Sequence, residues 1–108
     1  MIDFENLETK VLRQFQGGNG DIQAKIYADS LNRIIKSTYA PGVSTGYHCH
    51  DTSSEILFVL SGSCKVIHNG KEERLTAGMC HYCKKGDSHA VLNDADEMLV
   101  MYAVVCSQ

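Results

Sequence analysis

The chain has 108 residues, 44% of them hydrophobic and 21% charged, with a single proline and a net charge of −3. That length supports one compact domain over residues 1–108 and excludes two with separate cores, while the composition excludes a disordered chain. No basic cluster marks a nucleic-acid or membrane-surface partner, and no apolar run is long enough to span a bilayer.

Met1–Glu8 lacks the basic start and apolar centre of a secretory signal, so the expected location is the cytoplasm. Five cysteines are an odd number, and in a reducing compartment they read as free thiols. Residues 1–16 fit either a short helix or an irregular strand, and Gly17-Gly18-Asn19-Gly20 is a clear break that closes an N-terminal segment. Ile22, Ala24 and Ile26 then alternate with polar residues as a half-buried strand. Asp29-Ser30 reads as a turn, and Arg33–Tyr39 as a strand ended by Ala40-Pro41-Gly42.

The stretch from Gly42 to Gly62 is the most informative. Thr45–His50 reads as a strand, in which His48 and His50 share one face and Cys49 points the other way. The turn-rich Asp51-Thr52-Ser53-Ser54 lets the chain reverse and bring Glu55 back beside them. Two imidazoles and a carboxylate so placed have the composition of a facial metal triad. The alternative is an ordinary half-buried strand with two solvated histidines.

Glu55–Leu60 is the next strand. Cys64–His68 and Lys71–Leu75 form a hairpin around Asn69-Gly70, two residues that tolerate the positive φ of a type I′ turn. Met79–Cys83, His89–Asn93 and Met98–Val105 complete the set. Short strands at this spacing with glycine-rich turns predict an all-β sandwich or barrel. Glu55–Leu60 and Met98–Val105 are apolar on both faces, which predicts cover on both sides and hence a homodimer.

At Gly78–Asn93 the chain resembles the cupin superfamily. Gly42, His48, His50, Glu55 and Gly62 stand at the positions of the first cupin motif, and Gly78, Gly86, His89 and Asn93 at those of the second. Lys84 stands where the family usually has proline, which would loosen the loop before His89.

The resemblance implies an antiparallel double-stranded β-helix, or jelly-roll barrel. It also implies one divalent transition metal ion (iron, manganese, nickel, zinc or cobalt) held by His48, His50, Glu55 and His89. The functional expectation is a small metalloenzyme acting on a small polar or chelating metabolite, of dioxygenase, isomerase or epimerase, decarboxylase or lyase type. The alternative is a binding module that captures a small ligand without turnover. No further residue is assigned a catalytic role.

Among the remaining candidates, Cys80 and Cys83 point to opposite faces of an extended strand and read as packing residues rather than a redox or zinc pair. Cys49 is expected to pack outside the lumen, and Cys64 and Cys106 read as structural. His68, beside its turn, and His81 read as surface residues. Tyr39, Tyr47, Tyr82 and Tyr102 read as barrel or interface residues, any one of which could bring its hydroxyl near the metal.

Overall fold

The computed structural model describes residues Met1–Gln108. Ten strands run in order: β1 (Lys10–Arg13), β2 (Asp21–Ala28), β3 (Asn32–Tyr39), β4 (His48–Cys49), β5 (Ser53–Ser61), β6 (Ser63–His68), β7 (Lys71–Thr76), β8 (Cys80–Cys83), β9 (Ser88–Leu92) and β10 (Leu99–Ser107). They form a six-stranded sheet, β1-β2-β3-β10-β5-β8, and a four-stranded sheet, β4-β9-β6-β7. Every pairing is antiparallel. This is the expected jelly-roll arrangement. No helix is long and apolar enough to cross a membrane.

The N-terminal segment resolves into a strand, β1, flanked by the short 3-10 turns Phe4–Asn6 and Phe15–Gly17. Alternation sets the faces elsewhere. Ile22 and Ala24 of β2, Ser37 and Tyr39 of β3, Leu57 and Val59 of β5, and the run Leu99, Met101, Ala103 and Val105 of β10 all point inward and are buried. Cys64, Val66, Leu75 and Val91 meet them from the other sheet, and one apolar cluster fills the space between.

The chain changes sheets at Gly62, between β5 and β6. Its φ is +83°, and an added Cβ would stand 2.5 Å from the Met98 carbonyl oxygen, so only glycine fits the crossing. Asn69 and Gly70 take φ of 50° and 80°, the positive values expected of the β6–β7 turn.

The strand expected over Thr45–His50 pairs as a ladder only at His48–Cys49. Thr45 instead exchanges its N–H and hydroxyl with Val91, and the Gly46 N–H donates to the Phe15 carbonyl. Those bonds to the N-terminal turn take Gly46 out of the sheet.

The apolar outer face of the six-stranded sheet is partly bare. Phe58 and Leu60 are each 45% exposed and Tyr82 is 49% exposed, while Tyr102 is covered by Phe4, with ring centroids 5.3 Å apart.

Candidate metal centre

Both sheets contribute to one cluster. Because β4 alternates, His48 and His50 lie on the same side, their ring centroids 5.0 Å apart. His89 on β9 is the direct cross-strand partner of His48. Glu55 enters from β5, where it sits opposite both Cys83 and Val105. The loops close around His50: its N–H donates to the Asp87 carbonyl at 2.9 Å, and its carbonyl accepts from the Gly86 N–H at 2.7 Å. The structure therefore brings together all four residues expected as ligands, with one ligand atom of each lying within 4.8 Å of the others.

The spacing within the cluster suits a cation. His50 Nε2 lies 3.1 Å from His89 Nε2, and Glu55 Oε1 lies 3.3 Å from the first and 2.9 Å from the second. Ligand atoms about 2.1 Å from one ion and at right angles would stand about 3.0 Å apart.

The other ring nitrogens agree. His48 Nδ1 donates to the Gly46 carbonyl at 2.7 Å. His50 Nδ1 lies 2.9 Å from Ser53 Oγ, and His89 Nδ1 meets His81 Nε2 at 3.0 Å. With each Nδ1 engaged, the Nε2 atoms of His50 and His89 are left facing the carboxylate, the outer bonding usual for metal-binding imidazoles. Three lone pairs and an anion converging in a buried space call for a positive charge.

Electrostatics follow the geometry. Burial would raise the Glu55 carboxyl, but the His50 and His89 rings beside it outweigh that effect and bring the value down to about 2, so Glu55 is ionised. Burial lowers the His48 imidazole against the opposing pull of the Gly46 carbonyl, which keeps the ring neutral and available.

The cluster opens onto a cavity of about 140 Å³ lined by Phe15, Ile35, Tyr39, Leu57 and Arg33, among others. Arg33 is the single Lys or Arg in that lining and forms no ion pair. It lies at the mouth of the cavity, exposed, at the same level of the sheet as Glu55, since Val105 pairs with both. Sequence reasoning missed Arg33. Its signal was the parity of β3, where residue 33 shares a face with Ile35, Ser37 and Tyr39.

Two histidine expectations are corrected. His81 is 2% exposed and is no surface residue. It follows the inward parity of Cys83 on β8 and spans His89 and Glu73. His68 is not simply solvated either: its Nδ1 donates to Glu73 at 2.9 Å and its Nε2 to Asp87 at 2.9 Å. The Asp87 carboxylate, with Glu73 behind it, holds the His68 imidazole above its ordinary value.

No thiol is among the four cluster residues, although Cys83 Sγ lies within 4.8 Å of a ring nitrogen of His81 and of His89. Cys49 turns outward and is exposed rather than packed, its Sγ donating to Asp51 at 3.0 Å. Cys80 is exposed and Cys83 buried, the opposite faces expected, and burial pushes the Cys83 thiol up to about 12. Cys64 is fully buried and Cys106 half-buried.

Comparison with known proteins gives the same picture of the fold. A crystal structure of a predicted oxalate decarboxylase from Thermotoga maritima matches with a TM-score of 0.93 at 22% identity, covering 100% of this chain and 99% of that one. A sugar phosphate isomerase of the cupin superfamily from Silicibacter pomeroyi matches with a TM-score of 0.82 at 16% identity, over 100% of this chain and 76% of that one. KdgF from a Halomonas species matches with a TM-score of 0.70 at 22% identity, over 81% and 80%. No curated protein sequence matches. The cupin-domain family model matches residues 36–105, which takes in both histidine-bearing segments and most of the strands. The chain belongs to the cupin-domain family.

Proposed function

We propose that the chain binds one divalent transition metal ion through His48, His50, Glu55 and His89, and uses it on a small anionic, chelating metabolite. One observation carries the reading. Three imidazoles are each engaged through Nδ1 by a different partner; His50 and His89 bring Nε2 to 3.3 and 2.9 Å from the ionised Glu55 carboxylate, and His48 offers a ring nitrogen within 4.8 Å of the other ligand atoms. A bound ion would act as a Lewis acid toward a substrate carbonyl or carboxylate, or support oxygen chemistry if it is redox-active.

The chain's own residues narrow the substrate. The cavity of 140 Å³ holds the volume of about five waters, well below the ~300 Å³ at which drug-sized ligands are enclosed. Arg33 stands two strand spacings from Glu55, about 10 Å away, and would orient an anionic group by a forked pair of hydrogen bonds. The similar structures named for oxalate decarboxylation and sugar phosphate isomerisation both involve anions, and the cavity volume favours the smaller class.

Capture without turnover is favoured by one feature. Apart from the four cluster residues and Arg33, the titratable group in the lining is Tyr39, whose phenol burial holds far above its ordinary value. That hydroxyl is a hydrogen-bond donor rather than a ready acid.

We further propose a homodimer through the bare outer face around Phe58, Leu60 and Tyr82, to be checked by light scattering. For the metal site, protein purified without added metal should carry one transition metal ion per chain. His50→Ala should lose it, and full retention in that variant would overturn the assignment. Assaying small keto acids and dicarboxylates for turnover, and by calorimetry for binding alone, separates enzyme from binder.

A further inference from the structure

His89 is held from behind by a chain of side chains that ends at the surface. His89 Nδ1 lies 3.0 Å from His81 Nε2, and His81 Nδ1 lies 2.8 Å from Glu73 Oε1. Glu73 Oε2 lies 2.9 Å from His68 Nδ1, and His68 Nε2 lies 2.9 Å from Asp87 Oδ2. The chain joins β9, β8, β7 and β6 and crosses from one sheet to the other.

Donor and acceptor rules leave little freedom along it. An ionised carboxylate only accepts, so His81 must carry its proton on Nδ1 to bond Glu73. A neutral His81 then offers a lone pair at Nε2, and His89 must donate to it from Nδ1. That leaves the lone pair of His89 on Nε2, the atom that faces Glu55 and His50. The two rings lie within 26° of parallel, with centroids 5.2 Å apart, so turning His89 would break the bond. A neutral ring has one donor and one acceptor, so the setting of each proton fixes the next.

We propose that Glu73, acting through His81, is a positioning residue that fixes the tautomer and ring orientation of His89 for metal binding. The inference rests on the metal reading above. It also disposes of a competing use of the same residues. His68, Glu73 and His81 lie close enough to hold a cation of their own. An ion on His81 Nδ1 would move the His81 proton to Nε2, turn His89 into an acceptor there, and place a proton on His89 Nε2. The two sites therefore oppose each other, and the chain serves the buried one.

The test uses the full chain titrated with Zn²⁺ against a chromophoric chelator, and with Co²⁺ for its visible spectrum. Glu73 is 40% exposed, so Glu73→Ala leaves no packed cavity, and Glu73→Gln keeps an acceptor for His81 without the charge. Wild type should bind one equivalent. Glu73→Ala should bind about 10–100-fold more weakly with a changed Co²⁺ spectrum, and Glu73→Gln should recover part of the loss, both compared at a temperature where melting curves show the metal-free variants folded. Long-range proton–nitrogen NMR of the zinc-loaded protein should find His81 protonated at Nδ1. Undiminished affinity in Glu73→Ala, or a proton on His81 Nε2, would overturn the proposal while leaving the metal site standing. A folded wild type that takes up no metal would instead overturn the metal reading and this inference with it.

Discussion

Asn93 closes the second histidine-bearing segment and is fully buried at 0% exposure. Its side chain is wholly committed. Nδ2 donates to the Tyr39 carbonyl at 2.9 Å and to the Glu97 carbonyl at 2.8 Å, while Oδ1 accepts from the Ala95 N–H at 3.1 Å. One residue thus ties the end of β3 to the loop that leads into β10. Asn93→Ala removes three hydrogen bonds, each worth about 1 kcal/mol net, and leaves the Tyr39 carbonyl without its side-chain donor, so the expected loss is about 2–4 kcal/mol.

For a domain of this size such a loss lowers the melting temperature by about 10–25 °C. Urea unfolding of wild type, Asn93→Ala and Asn93→Asp measures it. The Asp variant keeps the acceptor for Ala95 but turns a carboxylate toward two carbonyls, so it should be at least as damaging as Ala. A loss below about 1 kcal/mol in Asn93→Ala, or a neutral Asn93→Asp, would refute the role assigned to the amide donors.

Three further outcomes are expected. In Gly46→Ala the new Cβ would stand 1.8 Å from the Gln16 carbonyl oxygen, forcing backbone movement in the residue whose carbonyl holds His48; metal titration should show a loss of about tenfold or more. His68, facing Glu73, Asp87 and His81, is held above its ordinary value in the fold, so the folded form takes up its proton more tightly than the unfolded one. Its stabilising effect is full below about pH 6.5 and is lost as pH rises through the folded value. The stability gap between wild type and His68→Gln, from urea unfolding at stepped pH, should therefore shrink above neutrality; a constant gap would contradict the assignment. Finally, stripping the metal should lower the melting temperature relative to protein held at a hundredfold excess over Kd, by about 10–20 °C for about 2.7 kcal/mol of linkage.

The strands were legible because alternation is a local property. Ile22, Ala24 and Ile26, or the turn at Asn69-Gly70, need no knowledge of their partners. His48 and His50 share a face by parity, and Glu55 follows from one reversal. His89 is a different case: its place beside His48 depends on β4 pairing with β9, which only the family resemblance supplied. Glu73 was invisible as anything but one charge in a hairpin strand, since its partners come from β6 and β8. His81 could have been placed inward had Cys83 been taken as buried, because the two share parity. Arg33 was passed over because an exposed charged residue near the start of a strand reads as solvent-facing, and only the fold shows that it also borders the cavity.

Cys49 lies between two imidazoles in the chain, yet the β4 strand turns it to the opposite side. Before β4 and β9 pair, nothing holds it there, and the segment His48-Cys49-His50 is a soft, thiol-containing chelate. His89 is 39 residues from His50 and joins only on folding. The chain therefore offers different donor sets at different stages: sulfur and nitrogen when open, nitrogen and oxygen when closed. A thiophilic ion met too early would occupy the wrong set and hold the strand back. On the metal reading proposed above, folding first and loading second is the productive order, so refolding with zinc already present should be slower than refolding followed by its addition.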